Sequence, residues 1–177
     1  SDNLITKVTT NSEGYVESDY LPYLSKYKLK ELSSSKGYEL DGKTYTFEVT
    51  MDNLYPELTV YEQIIKRPIR IHKYIAKGET GNLTPEKDVV FEFYNNKGDK
   101  VATVKTDADG FATLNLPYGT YTGKQKTVEE GLEKIDDFTV TINDKSPEII
   151  NLSFSNAPIT AKLKLIKVDS ESGKTIP

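Results

Sequence analysis

Polar and apolar residues alternate with a period of two over much of the chain. Residues 44–49 (Thr-Tyr-Thr-Phe-Glu-Val), 89–94, 138–142 and 149–154 all follow this pattern, which predicts half-buried β-strands. Between them lie clusters of turn-forming residues at 95–99, 107–110, 117–119 and 143–147, rich in Asn, Asp, Gly and Pro. Only 128–134 has a helical composition, and it is too short to build on. Many short strands with frequent turns predict an all-β, antiparallel sandwich.

The pattern also recurs. Lys167 in Leu163-Lys164-Leu165-Ile166-Lys167 stands 94 positions after Lys73 in Ile69-Arg70-Ile71-His72-Lys73. The same offset pairs Tyr121 with Tyr27, Gln125 with Glu31 and Gly131 with Gly37. Leu116-Pro117-Tyr118 answers Leu21-Pro22-Tyr23 at an offset of 95, and the turn Thr106 to Gly110 answers Thr10 to Gly14 at 96. A period of this length predicts tandem modules, each the size of a small β-sandwich. By the phase of the repeat, 1–68 is expected to be a partial unit lacking its first strands and 69–158 a complete one. Residues 159–177 then form the first strand of a following unit.

Strand parity says which side chains turn inward. Lys73 shares a face with Ile69 and Ile71, Asn156 with Leu152 and Phe154, and Gln125 with Tyr121 and Gly123. One Lys, one Asn and one Gln thus extend apolar stripes toward a core, where each unpaired polar group costs roughly 1–3 kcal/mol.

Composition removes several function classes. Net charge is −4, with both signs interspersed, so no basic stripe exists to follow a nucleic-acid backbone. No apolar run approaches the roughly 20 residues that span a bilayer. Cysteine is absent, which excludes disulfides and thiolate metal sites. Asp107 to Gly110 has the opening of a calcium loop without its later ligands, and a β-turn is the better reading. His72, the only histidine, faces outward by parity and makes neither a triad nor a zinc site. Ser34, Ser35 and Ser155 have no histidine to activate them. Nothing calls for a cofactor, and no constellation marks an enzyme.

The repeat resembles the Cna B-type domains (SpaA-like, prealbumin-like) of Gram-positive cell-wall-anchored adhesins and pilins. The likeness rests on the strand carrying Lys73, the 106–110 turn, Leu116 to Tyr121, the strand ending at Asn156, and the Lys167-Val168-Asp169…Ser172-Gly173-Lys174 stretch. It implies a stalk or spacer segment of a surface adhesin or pilus, extracellular and on the cell wall, with the anchor signal outside this stretch. It also implies that a first-strand lysine and a last-strand asparagine can join as an isopeptide bond, assisted by a glutamate from a middle strand. A desolvated amine would be the nucleophile and the carboxyl would carry the proton.

By position, Lys73 and Asn156 are the isopeptide candidates and Gln125 stands at the assisting glutamate's place, where an amide cannot carry a proton. In the earlier unit Glu31 keeps that place, but Glu62 stands where Asn156 does. Lys167 is the candidate lysine of the next repeat. Each residue also has a plainer reading: Lys73 as a lysine snorkelling to water, Asn156 as the opening of a turn, Gln125 as an edge residue bonded to backbone. Glu129 and Glu130 are the nearest other acids in sequence and lie in a loop.

The expected partners are neighbouring repeats of the same chain, with strand exchange between chains through the 159–177 strand, and neither nucleic acid nor membrane. The competing reading is an adhesin module gripping a host matrix protein or glycan, for which Tyr15, Tyr20, Tyr23 and Tyr55 offer contact surface.

Overall fold

The structure, a computed structural model, describes residues 3–23, 26–77 and 82–177. Among these the chain is all-β, and it divides into two compact units, Ser1–Ile64 and Ile65–Pro177.

The first unit contains an antiparallel pair, β1 (Tyr27–Lys30) and β2 (Thr44–Phe47), with the Tyr27 and Phe47 rings stacked 5.4 Å apart. Aromatic cross-strand pairs of this kind hold a short ladder together. The 39–63 backbone bond (Glu39 N–H to the Gln63 carbonyl, 2.8 Å) and a Tyr38–Ile64 bridge lace the loop between the strands to the end of the unit.

The second unit is a sandwich of two sheets. One is built on β3 (Lys66–Lys77), whose early half pairs with β7 (Phe111–Pro117) and whose late half pairs with β4 (Asn82–Pro85). The opposite edge of β3 pairs with β10 (Ile150–Asn156). The other sheet runs in the order β6 (Lys100–Lys105), β5 (Val90–Tyr94), β8 (Gly119–Gln125), β9 (Phe138–Ile142). Inward-facing Ile69, Ile71, Ala112 and Leu116 of the first sheet meet Phe91, Phe93, Tyr121, Val140 and Ile142 of the second. Phe138 lies over Gly123, its partner across the β8–β9 ladder; a Cβ on Gly123 would sit 2.3 Å from the ring. The glycine in that stripe is the space the ring fills.

Three features depart from the expected pattern. The β10–β3 ladder is parallel over seven residue pairs, in an otherwise antiparallel sandwich. Alternation reports which face a residue takes and not which way its neighbour runs. In addition β3 starts at Lys66, so Arg67 and Pro68 lie inside a strand and the division between units falls at 64/65 rather than 68/69. Residues 159–177 form no strand: a Val168–Thr175 bridge and local turn bonds organise 167–176, and Ile159 N–H donates to the Gly131 carbonyl at 2.8 Å.

Local geometry recurs at the offsets read from the sequence. Asn11 accepts from the N–H groups of Glu13 and Tyr15, and Asp107 accepts from those of Asp109 and Phe111, closing the same side-chain-capped turn. The Tyr27 hydroxyl donates to the Pro22 carbonyl, as Tyr121 does to Pro117 at 2.9 Å. The 39–63 bond is repeated between Glu133 and Ala157, 94 positions on, at 2.7 Å.

Candidate functional site

Parity places Lys73, Gln125 and Asn156 inward, and the structure has them there, 0 %, 0 % and 1 % exposed. They do not form one cluster of bonds. Two separate polar groupings share the end of the sandwich core.

The first is an ion pair. The Lys73 ammonium donates to Glu86 Oε2 at 2.5 Å and to its neighbour's carbonyl, Tyr74 O, at 2.6 Å. Glu86 lies just past the end of β4 and is itself buried. Its position is set from two sides. Its own N–H donates to the Lys73 carbonyl at 2.9 Å, and its carbonyl accepts from the Thr106 hydroxyl at 2.6 Å. Buried Thr106 also accepts from Val89 N–H at 2.9 Å, so one side chain pins both ends of the 86–89 corner. Asp88 takes a positive φ of 64° to make that corner. On the other side Lys73 N–H donates to the Gly110 carbonyl at 2.9 Å, and Gly110, at φ 75°, comes so close that a Cβ would lie 2.5 Å from Lys73 O. Only glycine allows that approach.

The second grouping is a reciprocal amide pair. Asn156 Nδ2 donates to Gln125 Oε1 at 2.9 Å and Gln125 Nε2 donates back to Asn156 Oδ1 at 3.2 Å. The remaining hydrogens go to backbone: Asn156 Nδ2 to Glu133 O at 2.6 Å and Gln125 Nε2 to Thr127 O at 2.7 Å. Gln125 Oε1 also accepts from Ile135 N–H at 3.2 Å. Every amide hydrogen of the pair has a partner, the condition under which a buried polar network stabilises rather than costs. The pair fastens the end of β8 to the end of β10 and to the 126–137 loop.

In the first unit the equivalent positions, Glu31 and Glu62, are again bonded to each other, as carboxyl to carboxyl. Desolvation first, and then the bond to Glu31 and its charge, push the Glu62 carboxyl above its ordinary value. Glu31 also accepts from Asp41 N–H.

The sequence reading missed Glu86. It lies in the charged stretch Glu86-Lys87-Asp88 outside any strand, so neither parity nor the repeat singles it out. Glu129 and Glu130, the acids nearest in sequence, are exposed. His72 is turned to the outer face as parity predicts. It is not simply solvated, however, because its ring stacks on Phe111 at 3.8 Å and lies 3.9 Å from Tyr74, whose hydroxyl bonds its Nδ1. Lys167 lies in the exposed 159–168 stretch, with its carbonyl accepting from Ile176 N–H at 2.9 Å.

A two-sheet sandwich closed by its first and last strands, with polar clasps at the strand ends, defines a prealbumin-like fold. The chain belongs to the SpaA family: the family profile, described as a prealbumin-like fold domain, matches residues 1–64 and 73–157. Comparison with curated proteins finds no match. Among solved structures, the Bacillus anthracis TIE protein is similar at 25% identity and TM-score 0.71, over 95% of this chain and 34% of that one. This chain thus spans about a third of that protein. The minor pilin of Streptococcus agalactiae aligns at 18% identity and TM-score 0.48, over 89% of this chain and 70% of that one. The shaft pilin of Lactobacillus rhamnosus GG aligns at 17% identity and TM-score 0.45, over 63% and 57%.

Proposed function

We propose that the chain is a structural stalk or pilus segment on a bacterial surface, a spacer that transmits force rather than a catalyst. The observation that carries this reading is the parallel ladder between β3 and β10. These are the first and last strands of the second unit, so tension enters at the start of one and leaves at the end of the other. Parallel neighbours pulled in that way are loaded in shear, and their interstrand bonds must fail together rather than one at a time. The Lys73–Glu86 pair and the Gln125–Asn156 pair add side-chain ties at the far end of that ladder.

The geometry favours a clasp without a covalent Lys73–Asn156 bond. The Lys73 ammonium is turned to Glu86 and Tyr74 O, while the Asn156 amide is held by Gln125 and Glu133 O. An isopeptide bond needs an unprotonated amine on the Asn156 carbonyl carbon and a group to hand the proton to departing ammonia. Gln125 cannot hand it over. Intact mass tests this directly: the expected mass is that of the sequence, and loss of one ammonia would overturn the noncovalent reading.

A second reading, a module that grips a host matrix protein or glycan, draws on Tyr15, Tyr20, Tyr23 and Tyr55, all exposed in the first unit. Solid-phase assays of the full chain against immobilised matrix proteins separate the two. A spacer gives no saturable binding; saturable binding lost on replacing these tyrosines would favour the adhesin module.

A further inference from the structure

The outer face of the β3 sheet, turned away from the core of the second unit, carries side chains in successive contact. The Arg70 guanidinium lies 4.2 Å from the centre of the Phe111 ring, and His72 stacks on that ring and reaches Tyr74. These residues border a groove of about 310 Å³, completed by Asn151, Leu152 and Ser153 of β10.

The groove holds positive charge and hydrogen-bond donors with nothing to receive them. Arg70 is exposed and, among the described residues, meets no carboxylate. Its neighbours across the two ladders, Asn151 and Thr113, are uncharged. The Asn151 amide and the Ser153 hydroxyl bond no other described residue. With the Tyr74 hydroxyl donating to Nδ1, the His72 ring hydrogen lies on Nε2, which is buried without a partner. A guanidinium held against a ring keeps its edge donors free, in the fork that grips a carboxylate with two bonds. Arg70 and His72 both lie against Phe111, so charge rather than an open ring face selects the ligand.

The strand beside the groove is also open. β10 is the edge of its sheet, and its seven residues include neither a charge nor a proline, the devices that close natural edges. Among the described residues, backbone bonds from the 126–137 loop reach the chain past β10, at Ala157 and Ile159. On the inner side Ile150, Leu152 and Phe154 are only partly buried, while Asn151, Ser153 and Ser155 are exposed on the outer side. A strand added along 150–154 therefore meets apolar surface with one set of side chains and the Arg70 groove with the other.

We propose that β10 and the groove beside it bind an extended acidic segment of a partner protein, one that alternates apolar residues with Asp or Glu. Its backbone adds along 150–154, and one carboxylate rests on the Arg70 guanidinium with Asn151 and Ser153 as further donors. The site lies apart from the exposed tyrosines of the first unit.

Amide chemical shifts of the isotope-labelled full chain, titrated with a short capped peptide alternating Glu with Val, test this. Saturable shifts should appear at 150–154 and from Arg70 to Tyr74. Arg70→Gln, a change at an exposed position, should weaken binding about tenfold. Ser153→Asp should weaken it too, by setting a like charge beside the carboxylate. Arg70→Glu should lose the Glu–Val peptide and gain one alternating Lys with Val. The absence of saturable shifts overturns the proposal. So does binding that Arg70→Gln leaves unchanged, or equal binding of the Lys–Val peptide by the wild type. Sodium glucuronate shifting these amides where the peptide does not would assign the groove to an acidic sugar and overturn it as well. None of these outcomes bears on whether the β3–β10 ladder transmits force.

Discussion

Lys73 carries most of what distinguishes the core of the second unit. It is a fully buried cation whose charge is met by one carboxylate, Glu86, at 2.5 Å. Removing one member of such a pair leaves the other buried and uncompensated, at a cost of about 3–5 kcal/mol, whereas replacing both by apolar groups of similar size is often neutral or better. Glu86→Leu or Lys73→Met alone should therefore lower the denaturation midpoint strongly, and Lys73→Met with Glu86→Leu should restore most of it. Chemical denaturation of the four proteins gives the coupling; additive losses in the double variant would show that the pair is not the tie described. Lys73, Gln125 and Asn156 were legible from sequence because each sits in a strand with apolar neighbours two residues away. Glu86 was not, because a corner pinned by a distant threonine hydroxyl leaves no periodic trace.

At the scale of elements, the strands themselves were readable wherever one face is buried and the other wet, as in β2, β5 and β9. The parallel direction of β10 beside β3 was not, since it is a property of the path between them. Nor was the absence of a strand in 159–177.

Acid–base behaviour separates the two units in the same way. On β5 the Tyr94 hydroxyl, followed by Lys100 and Lys126, holds Glu92 down from 4.5 to about 2. A depressed carboxyl lends stability that is full above its ordinary value and is lost as pH falls from 4.5 toward about 2. Glu62 in the first unit is raised instead. Its contribution is full below 4.5 and is lost as pH rises through the raised value. Asp41 of the first unit is also held below its ordinary value, chiefly by the Tyr45 hydroxyl, so each contribution is read as a difference between variant and wild type. In amide exchange, Glu92→Gln should reduce the acid loosening of the second unit, and Glu62→Gln should reduce any loosening of the first unit as pH rises through the raised value. Variants that leave both pH dependences unchanged would contradict these assignments.

For the whole molecule, the same local geometry occurs at the offsets read from sequence: the capped turn at 11–15 and 107–111, the tyrosine bond to a proline carbonyl, and a pair at 31/62 and 125/156. What varies is the chemistry of the pair, two acids in one unit and two amides in the other. In the second unit the amide pair fastens the end of β8 to the end of β10, and the parallel ladder between the first and last strands is the basis for reading the chain as a force-transmitting segment. Single-molecule pulling through residues just outside 65 and 158 tests it most directly. The account predicts one cooperative rupture that releases the whole unit, roughly 300 Å of chain, at a force that Glu86→Gln lowers. Gradual extension at low force would contradict a shear-loaded ladder, and an extension that omits the stretch from Lys73 to Asn156 would contradict the noncovalent clasp.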